Sequence, residues 1–519
     1  MRAIHTVLAL CLLVPRPADA CTSIMVTPGA STDGSVMTSH TCDSHRTSSA
    51  IHVRPRRQHR AGASILLTRR EEDNSGPMER YSRRPTGRIP QVRATHAYLA
   101  PAYAAMNEHQ VAIGESTFEG RKELQSKRGL IDCETLCELM LERATTAREA
   151  IRIGGELAQK HGYNDVGEAL TIVDKKEAWL MEIVGPGKGK TGAVWAARRI
   201  PDGHVSVVAN ASRIGEVDPS QPDRFMASDN MVKLARRSGW WKPQDGPFRF
   251  WKAYNPTGRT SFASTRREWR ALSMLAPSLK LEPNANELPF SVKPERKVSP
   301  ARIMEIFRDT FEGTDFDMTK NLTVTDDKSG KSVKSPLANP FMPYDMNKML
   351  GINGGWGWKG ERPMARWYCM YATVTQSRAA LPDPVGGVVW FGYDNPAMTT
   401  YVPIYAGVTD LPRTYSTDGR TTGFSRKAAW WAFNRVGTLA AHRWGEMRKD
   451  VALVRDRLQG RFFADQRREE QRAVALIRAG KLEQARTRLT DYTSRACNQV
   501  LDAYWALGDR LWTKYDEKW

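Results

Sequence analysis

The stretch formed by residues 21–40, CTSIMVTPGASTDGSVMTSH, decides the fold of this chain. Its two apolar segments are typical of β-strands, and Pro28-Gly29 or Asp33-Gly34 supplies the turn between them. The pattern therefore predicts a β-hairpin that begins at Cys21 and holds this residue rigidly at the end of a strand. The second strand runs on into residues 42–45, a cluster of small polar groups that would lie back beside Cys21.

The N-terminal segment in front of this stretch has the pattern of an export signal. A basic residue precedes an unbroken apolar run at residues 7–14, and Ala18 and Ala20 are small residues of the kind that signal peptidase reads. The run is too short to span a bilayer, and no later stretch approaches about 18 apolar residues, so we expect no membrane span. Cleavage after Ala20 would give an exported protein, periplasmic or secreted, whose first residue is Cys21.

A cysteine at a free N-terminus carries its own general base. The α-amino group has an ordinary pKa of about 7.7 to 8.0 and can accept the thiol proton near neutral pH. Before cleavage the same nitrogen is an amide, which cannot act as a base. Cys21 is therefore a candidate nucleophile that cleavage would activate, unless it merely follows the cleavage site, and residues elsewhere must decide between these interpretations.

The length and charge of the chain restrict its partners and its domain organisation. It has 519 residues and a formal net charge of +20, which favours acidic neighbours. However, Lys and Arg are scattered and no nucleic-acid-binding motif is present, so we expect no nucleic acid partner. Length alone suggests two or more domains, but without a low-complexity linker or an internal repeat the sequence favours one large elaborated domain.

Periodicity in the apolar residues predicts both helices and strands. The predicted elements are a helix over residues 132–158 that ends near Gly154-Gly155, strands over residues 171–174, 178–183 and 204–209, and C-terminal helices over residues 448–488 and 496–512. The helical tail, which begins after Ser425, would pack on the domain or pair with another subunit. A homo-oligomer is therefore an open alternative.

The cysteines and histidines indicate no metal site. Six cysteines follow residue 20, and none of them forms a CxxC pattern. The histidines at positions 40, 45, 52 and 59 have no regular ligand spacing. Cys133 and Cys137 are one helical turn apart, where a disulfide is geometrically awkward and a buried thiol pair is at least as good an interpretation. We therefore predict no metal and no cofactor, and leave the disulfide pairing open.

Several segments match a known family in the same order along the chain. They are Cys21-Thr22 with the turn Asp33-Gly34-Ser35 and Asp43; residues 107–117, NEHQVAIGEST; residues 195–203, WAARRIPDG, with residues 209–214, ANASRI; Glu312-Gly313-Thr314; Gln376-Ser377-Arg378; and residues 386–391, GGVVWF. Together they resemble the dipeptidase family of N-terminal nucleophile cysteine hydrolases, which is related to penicillin V acylase and bile salt hydrolase. The resemblance covers nearly all of residues 21 to about 410.

The resemblance implies a fold and a domain organisation. The fold would be α+β, namely the four-layer αββα sandwich of N-terminal nucleophile hydrolases with a helical C-terminal extension. The segments would be a signal peptide at residues 1–20, a hydrolase domain at residues 21–424, and a helical extension at residues 425–519 that packs on the domain or continues it. The activity would be that of an exported cysteine dipeptidase acting on the amide bond of dipeptides or short peptides.

The same resemblance implies catalytic roles for four residues. Cys21 would attack the substrate carbonyl with its own α-amine as general base, and Asp43 would orient that amine. Asn210 would donate a hydrogen bond to the oxyanion, and Asn107, from another matching segment, would add a second. A neutral amide suits this role because it donates without titrating.

One position departs from the family pattern. The family commonly has an arginine a few residues before the acid that matches Asp43, and this chain has His40 there. A guanidinium is always charged, whereas a histidine stabilises a thiolate only when it is protonated. His40 is therefore a candidate site residue, and Arg213 and Arg378 are candidates for binding a substrate carboxylate.

Two other functions remain open from the sequence. The first is an acylase for a non-peptide amide, of the penicillin or conjugated bile acid type. The second is a catalytically silent surface protein that is lipid-anchored at Cys21, although Ala18 stands where a lipoprotein signal prefers a residue like Leu. A lipid on Cys21 would block the proposed chemistry.

Overall fold

The computed structural model describes residues 21–73, 80–341 and 362–517. The signal peptide predicted at residues 1–20 lies outside the described residues. Within them the chain is α+β, with both helices and sheets contributing to one continuous core. None of the described helices is both long enough and apolar enough to cross a membrane.

The strands and helices alternate irregularly along the chain. The strands are β1 (Ser23–Val26), β2 (Ser39–Cys42), β3 (His52–Arg54), β4 (Arg57–Gln58), β5 (Ser64–Asp73), β6 (Arg80–Pro90), β7 (Ala94–Thr95), β8 (Tyr98–Ala100), β9 (Met106–Asn107), β10 (Ala112–Glu119), β11 (Gly167–Val173), β12 (Ala178–Val184), β13 (Val194–Arg199), β14 (Val205–Val208), β15 (Phe225–Ala227), β16 (Thr323–Thr325), β17 (Ser332–Lys334), β18 (Tyr371–Gln376), β19 (Val388–Tyr393) and β20 (Val402–Tyr405). The α-helices are α1 (Cys133–Leu141), α2 (Ala147–His161), α3 (Met231–Arg237), α4 (Phe250–Tyr254), α5 (Phe262–Leu275), α6 (Pro300–Phe307), α7 (Asp383–Gly386), α8 (Arg413–Ser416), α9 (Gly419–Thr422), α10 (Trp430–His442), α11 (Trp444–Arg478) and α12 (Leu482–Lys514).

The larger sheet is antiparallel and has eight strands, in the order β15-β13-β12-β11-β10-β9-β8-β3. Its central strands β11 and β12 are buried along their whole length, because apolar residues point to both faces. Helix α2 packs against β11, β12 and β13. These strands confirm the prediction for residues 171–174 and 178–183, and β14 confirms the one for residues 204–209.

The smaller sheet has four antiparallel strands, in the order β2-β18-β19-β20. The C-terminal helices α10, α11 and α12 contact β19 and β20. The backbone N–H of Tyr401 donates to Gln459 Oε1 at 2.9 Å, which ties the chain entering β20 to helix α11. On the inner side, β2 contacts β10, and β1 contacts β10 and β11. The first strands of the chain therefore lie where the two sheets face each other.

The predicted hairpin over residues 21–40 is only partly correct. Strands β1 and β2 run antiparallel, but they share only the isolated bridges Thr22–Thr41 and Val26–Met37. A 3₁₀ turn at Pro28–Ala30 and the loop after it separate the two strands. The full hydrogen-bond ladder of β1 is made with β14, and that of β2 with β18. The prediction paired β1 with β2 because they are neighbours in the sequence, whereas the hydrogen-bond ladders of both strands are made with strands that are distant in the chain.

The single helix predicted over residues 132–158 is two helices, α1 and α2. The second begins at Ala147 and is capped by Thr146, whose side chain accepts a hydrogen bond from the Glu149 backbone N–H at 3.2 Å. Threonine followed three residues later by glutamate is a known helix-start signal that the periodicity analysis did not use. Gly154 and Gly155 do not end the helix, because they lie inside α2. An added Cβ at Gly155 would come within 2.4 Å of Trp195, so close packing requires glycine there.

The C-terminal region is helical as predicted, with different boundaries. Helices α11 and α12 are separated by residues 479–481, where Gly480 has a φ of +73°. Its N–H donates to the Ile477 carbonyl at 3.0 Å. A glycine in this left-handed conformation commonly ends a helix. The prediction placed helix 448–488 across this break and was wrong at that point.

Candidate active site

The backbone of Cys21 is held at the entry to β1 by partners from distant parts of the chain. Its carbonyl accepts hydrogen bonds from the Ser116 hydroxyl and from Arg267 Nη1, both at 3.0 Å. The following N–H, that of Thr22, donates to Thr41 Oγ1 at 3.0 Å. Cys21 is only 2% exposed. The sulfur is therefore attached to a backbone that cannot easily move.

The thiol of Cys21 is surrounded by groups that disfavour its ionisation. Burial raises its pKa well above the ordinary value, and electrostatic repulsion from the neighbouring Glu115, Cys42 and Asp43 raises it further. A hydrogen bond from the Asp43 backbone N–H acts in the opposite direction without reversing the shift. Cys21 accordingly rests as a neutral thiol near neutral pH, so that a nucleophilic role requires a base close to the sulfur.

Asp43 lies directly after β2 and is completely buried. Its Oδ2 accepts hydrogen bonds from Arg362 and from the Thr41 hydroxyl, while its Oδ1 has no hydrogen-bond partner among the described residues. Burial raises the pKa of this carboxyl, and the positive charges of Arg362 and Arg267 work against the rise. The structure thus brings Asp43 to Cys21, as predicted, with one carboxyl oxygen still able to accept a hydrogen bond.

Asn210 has a fixed orientation in the same site. Its Oδ1 accepts hydrogen bonds from Arg267 Nη2 at 2.7 Å and Arg362 Nη1 at 3.3 Å, and its Nδ2 donates to the Thr117 carbonyl. Because arginine can only donate, the oxygen of the amide must face the two guanidiniums. The backbone at Asn210 has a φ of +57°, in the left-handed region, and its N–H donates to Ser116 Oγ at 2.9 Å. One N–H of the amide remains for a ligand.

Two arginines that the sequence analysis did not identify join these residues together. Arg267, on helix α5, is fully buried and donates to the Cys21 carbonyl, to Thr22 Oγ1 at 2.8 Å and to Asn210. Arg362 bridges Asp43 and Asn210. Burial lowers the pKa of Arg267 well below its ordinary value, and the neighbouring charge of Arg362 lowers it further. The positive charge expected near position 40 therefore comes from elsewhere in the chain.

A signal for Arg267 was present in the sequence. Arg267, Ala271 and Leu275 follow one another at intervals of four residues, so they share one face of helix α5, and all three are buried. An arginine on the buried face of an amphipathic helix needs internal partners, because an unpaired buried charge is very costly. Arg362 has no comparable local signal.

His40 lies within this site and faces an acidic side chain. Its Nε2 is 3.3 Å from Glu115 Oε2. Burial opposes ionisation of Glu115, but the contacts with His40 and with Glu168 outweigh it and lower the pKa of this carboxyl. Burial and the negative charge of Glu115 raise the pKa of Glu168 well above its ordinary value. Glu115 is therefore the ionised member of this carboxyl pair, and Glu168 keeps its proton.

Asn107 has a different set of contacts from the one predicted. Its Nδ2 donates to the carbonyls of Leu141 at 2.9 Å and Ala144 at 2.7 Å. Its Oδ1 accepts from the backbone N–H groups of His109 and Val111, both at 3.0 Å. Both N–H groups of the Asn107 amide are thus occupied and are not free to donate to an oxyanion. Asn107 joins the turn between β9 and β10 to the end of helix α1, so we do not retain it as a catalytic candidate.

Arg213 and Arg378 are also occupied by internal partners. Arg213 forms a buried ion pair with Glu268 and donates to the Pro289 carbonyl. Arg378 forms a bidentate ion pair with Glu470 on helix α11, in which Nη2 donates to Oε1 at 2.7 Å and Nη1 donates to Oε2 at 3.0 Å. A guanidinium that is already paired in this way is not available to a substrate carboxylate. The structure therefore gives no support to the predicted substrate-binding role of either residue.

Two groups of side chains among the described residues have the composition of a metal site. Cys21, His40 and Glu115 form one, and the half-buried His96, Glu108 and His109 form the other. Neither group has the regular ligand spacing of a metal-binding motif, because Cys21, His40 and Glu115 come from three separate segments and His96 lies apart from the adjacent Glu108 and His109. Cys133 and Cys137 lie buried in helix α1 as thiols, with no disulfide between them.

The chain is similar to known peptidases over most of its length. The family model of peptidase family C69 matches residues 20–456. A probable dipeptidase of Latilactobacillus sakei is 26% identical over 453 residues, covering 83% of each chain. Probable dipeptidase B of Streptococcus pyogenes serotype M1 is 24% identical over 322 residues, covering 61% of this chain and 57% of the relative. A probable dipeptidase of Salmonella dublin is 24% identical over 303 residues, covering 57% and 60%.

Proposed function

The chain belongs to peptidase family C69, a family of cysteine-type peptide hydrolases of the N-terminal nucleophile class, and on this basis we propose that it is a dipeptidase whose nucleophile is Cys21. The observation that carries the proposal is the convergence of Cys21, Asp43 and Asn210 on the same two arginines, Arg267 and Arg362. A buried cysteine with these neighbours has the groups that amide hydrolysis needs.

The reaction begins with a proton transfer inside residue 21. The α-amine takes the thiol proton, and the sulfur attacks the carbonyl carbon of the peptide bond, so that a C–S bond forms and the carbonyl oxygen becomes negative. The remaining N–H of Asn210 stabilises this oxyanion. When the C–N bond breaks, the α-ammonium returns its proton to the leaving amine. A water molecule then gives a proton to the α-amine and attacks the thioester carbonyl. The C–S bond breaks, the carboxylic acid leaves, and the α-ammonium returns its proton to the Cys21 sulfur.

Asp43 positions the α-amine in this proposal. Its Oδ1 is buried, lacks a hydrogen-bond partner among the described residues, and belongs to a carboxyl whose other oxygen is held by Arg362. A buried acceptor without a partner is costly, and an α-ammonium next to it would remove that cost. The raised pKa of the Cys21 thiol supports the same assignment, because a neutral thiol requires a base.

Maturation and export are part of the proposal. Cleavage after Ala20 would convert the amide nitrogen of Cys21 into a basic amine, so one cut would both release an exported protein and activate it. The export pattern of residues 1–20 supports this order of events. We further propose that activity depends on Cys21 being the first residue.

The finer description of the fold is also a proposal. Helix α2 covers the larger sheet and packs against α1, the two sheets face each other through β1, β2 and β10, and helices α10 to α12 cover the smaller sheet. This arrangement supports the four-layer αββα sandwich of N-terminal nucleophile hydrolases. We propose that residues 21–424 form the hydrolase domain and that residues 425–519 are its helical extension.

The decisive experiment compares three forms of the mature protein that begins at residue 21. Wild-type protein, Cys21→Ala and Cys21→Ser are each purified, and the first residue is verified by N-terminal sequencing. Hydrolysis of a dipeptide panel is then measured. We expect Cys21→Ala to lose activity completely and Cys21→Ser to lose nearly all of it, while circular dichroism shows unchanged folding. Cys497→Ala, in helix α12, is a matched control because it removes a buried thiol elsewhere and should keep activity.

A second comparison tests the substrate class and the maturation step. A chain that keeps residues 1–20 should be inactive until the segment is removed. Dipeptides with a free amine should be cleaved faster than phenoxyacetyl or bile acid amides. Wild-type activity in Cys21→Ala would refute the mechanism, and activity on acyl amides alone would make the protein an acylase.

A further inference from the structure

Cys21, His40 and Glu115 form a compact cluster with three chemically different side chains. The thiol sulfur, one imidazole nitrogen and one carboxylate oxygen all lie within 4.8 Å of one another. The residues are 2%, 2% and 0% exposed. Sulfur, imidazole nitrogen and carboxylate oxygen are the three donor types with which proteins bind Zn²⁺.

Two polar atoms of this cluster, one on His40 and one on Glu115, form an ion pair with each other. His40 Nε2 and Glu115 Oε2 are both buried and both lack an aligned partner among the described residues. They face each other at 3.3 Å, within ion-pair distance but outside good hydrogen-bond geometry. A metal ion bound between the two side chains would replace this contact and give each atom a well-aligned partner.

The spacing of these atoms suits a small tetrahedral ion. With metal–ligand bonds of about 2.0 to 2.2 Å to nitrogen and oxygen, neighbouring ligand atoms of a tetrahedral zinc site are about 3.4 Å apart. The observed separation of His40 Nε2 and Glu115 Oε2 is 3.3 Å. Cys21 Sγ lies within 4.8 Å of both atoms and would complete a set of three ligands, which leaves one position open.

We propose that the mature protein binds one Zn²⁺ ion through Cys21 Sγ, His40 Nε2 and Glu115 Oε2, and that this ion reversibly blocks the enzyme. On binding, the Cys21 S–H bond breaks, its proton passes to the solvent buffer, and the thiolate forms a bond to the metal. No oxidation occurs, so removal of the metal by a chelator restores the thiol. The inhibitory part of this proposal rests on the proposed role of Cys21 as nucleophile.

The second cluster of the chain is less suitable and serves as an internal control. The Glu108 carboxylate already accepts hydrogen bonds from the Ala97 N–H at 2.8 Å and from Arg56 Nε at 2.9 Å. His96 and His109 are bonded to each other at 3.1 Å. The ligand atoms of the second cluster therefore already have hydrogen-bond partners.

The experiment uses Co²⁺ as a spectroscopic substitute for Zn²⁺. The metal-free mature protein is titrated with Co²⁺, and the thiolate-to-cobalt charge-transfer band in the near ultraviolet is followed, together with Zn²⁺ binding by calorimetry. We expect one equivalent of cobalt, a band that Zn²⁺ abolishes, and loss of dipeptide hydrolysis that a chelator reverses. Cys21→Ser should lose the band, and His40→Gln and Glu115→Gln should each weaken binding at least tenfold. His109→Gln should leave both the band and the affinity unchanged.

The outcomes separate this proposal from the proposed function. The metal site is overturned if wild-type protein shows no thiolate band, or if His109→Gln rather than His40→Gln abolishes binding. The inhibitory role is overturned if the zinc-saturated protein hydrolyses dipeptides at the metal-free rate. Hydrolysis by Cys21→Ala would refute the nucleophile, while a cobalt band in wild-type protein would still establish the metal site. Circular dichroism of each variant identifies loss of binding that is due to misfolding.

Discussion

Arg267 Nη2 donates a hydrogen bond of 2.7 Å to Asn210 Oδ1, although 57 positions separate the two residues in the chain. The same guanidinium donates from Nη1 to the Cys21 carbonyl. One buried side chain thus fixes the distance between the proposed nucleophile and the proposed oxyanion donor. This relationship makes Arg267 a positioning residue, and its replacement tests the site without removing a reacting group.

Replacing Arg267 by lysine should lower kcat/KM by about 100-fold, because an ammonium cannot hold Cys21 and Asn210 in the same two-armed geometry. Steady-state kinetics on a dipeptide measures the loss, and thermal unfolding measures the accompanying change in stability. Arg270→Lys is the matched control on the same helix, since Arg270 pairs with Asp309 instead. An Arg267→Lys enzyme with the activity of the control would contradict the positioning role.

Replacing Asn210 by glycine should lower kcat by about 100- to 1000-fold, which corresponds to the loss of one oxyanion donor. Alanine should reduce kcat equally but should also destabilise the fold, because Asn210 has a φ of +57° that alanine adopts poorly. Comparing kcat and the free energy of unfolding for both variants separates catalysis from backbone strain. If the glycine variant retained wild-type kcat, the oxyanion donor would have to be another group.

The stability of the protein should depend on Asp394. Burial raises the pKa of this carboxyl to about 7, although hydrogen bonds from Asn434 and from the Asn395 backbone oppose the rise. The folded state therefore holds a proton that the unfolded state has already released between pH of about 4 and 7. Stability should fall as pH rises through this window, by up to about 1.4 kcal/mol per pH unit.

Asp394→Asn should remove this contribution to the pH dependence, because the amide stays neutral at every pH. Chemical unfolding at pH 5, 6, 7 and 8 measures the slope for wild-type protein and variant. Asp502→Asn is the control, since Asp502 is exposed on helix α12. Equal slopes in all three proteins would mean that Asp394 ionises normally in the folded state.

Replacing Glu470 by alanine should destabilise the fold by about 3 to 5 kcal/mol, because Arg378 is left buried without its counter-ion. The KM of the folded enzyme should stay unchanged, since both partners serve to attach helix α11 to the smaller sheet. Glu483→Ala is the control, because the pair of Glu483 with Arg486 is largely exposed and should contribute less than about 1 kcal/mol. A raised KM with intact stability would instead restore the substrate-binding role predicted for Arg378.

Local sequence patterns were sufficient for the parts of the fold that depend on neighbours in the chain. The buried strands β11 and β12 were predicted in part, over residues 171–174 and 178–183, because two short and largely apolar segments flank a polar turn. The break between α1 and α2 was missed because the prediction used apolar periodicity alone and did not consider the capping signal at Thr146. The pairing of β1 with β2 was overestimated. The two strands form their hydrogen-bond ladders with β14 and β18, which are far away in the chain.

The sequence by itself determined the identity of the proposed nucleophile and of the acid beside it. The segments that resemble the family indicated both residues, whereas the ladders that β1 and β2 make with the distant strands β14 and β18 hold the two segments in place. Only the tertiary structure decided which groups complete the site. Arg267 and Arg362 reach it from helix α5 and from the segment before β18, while Asn107 and Arg378 are occupied by structural partners. The physical reason is that buried charges and amides must find partners wherever the packed chain provides them, and such pairings are not encoded in the local sequence.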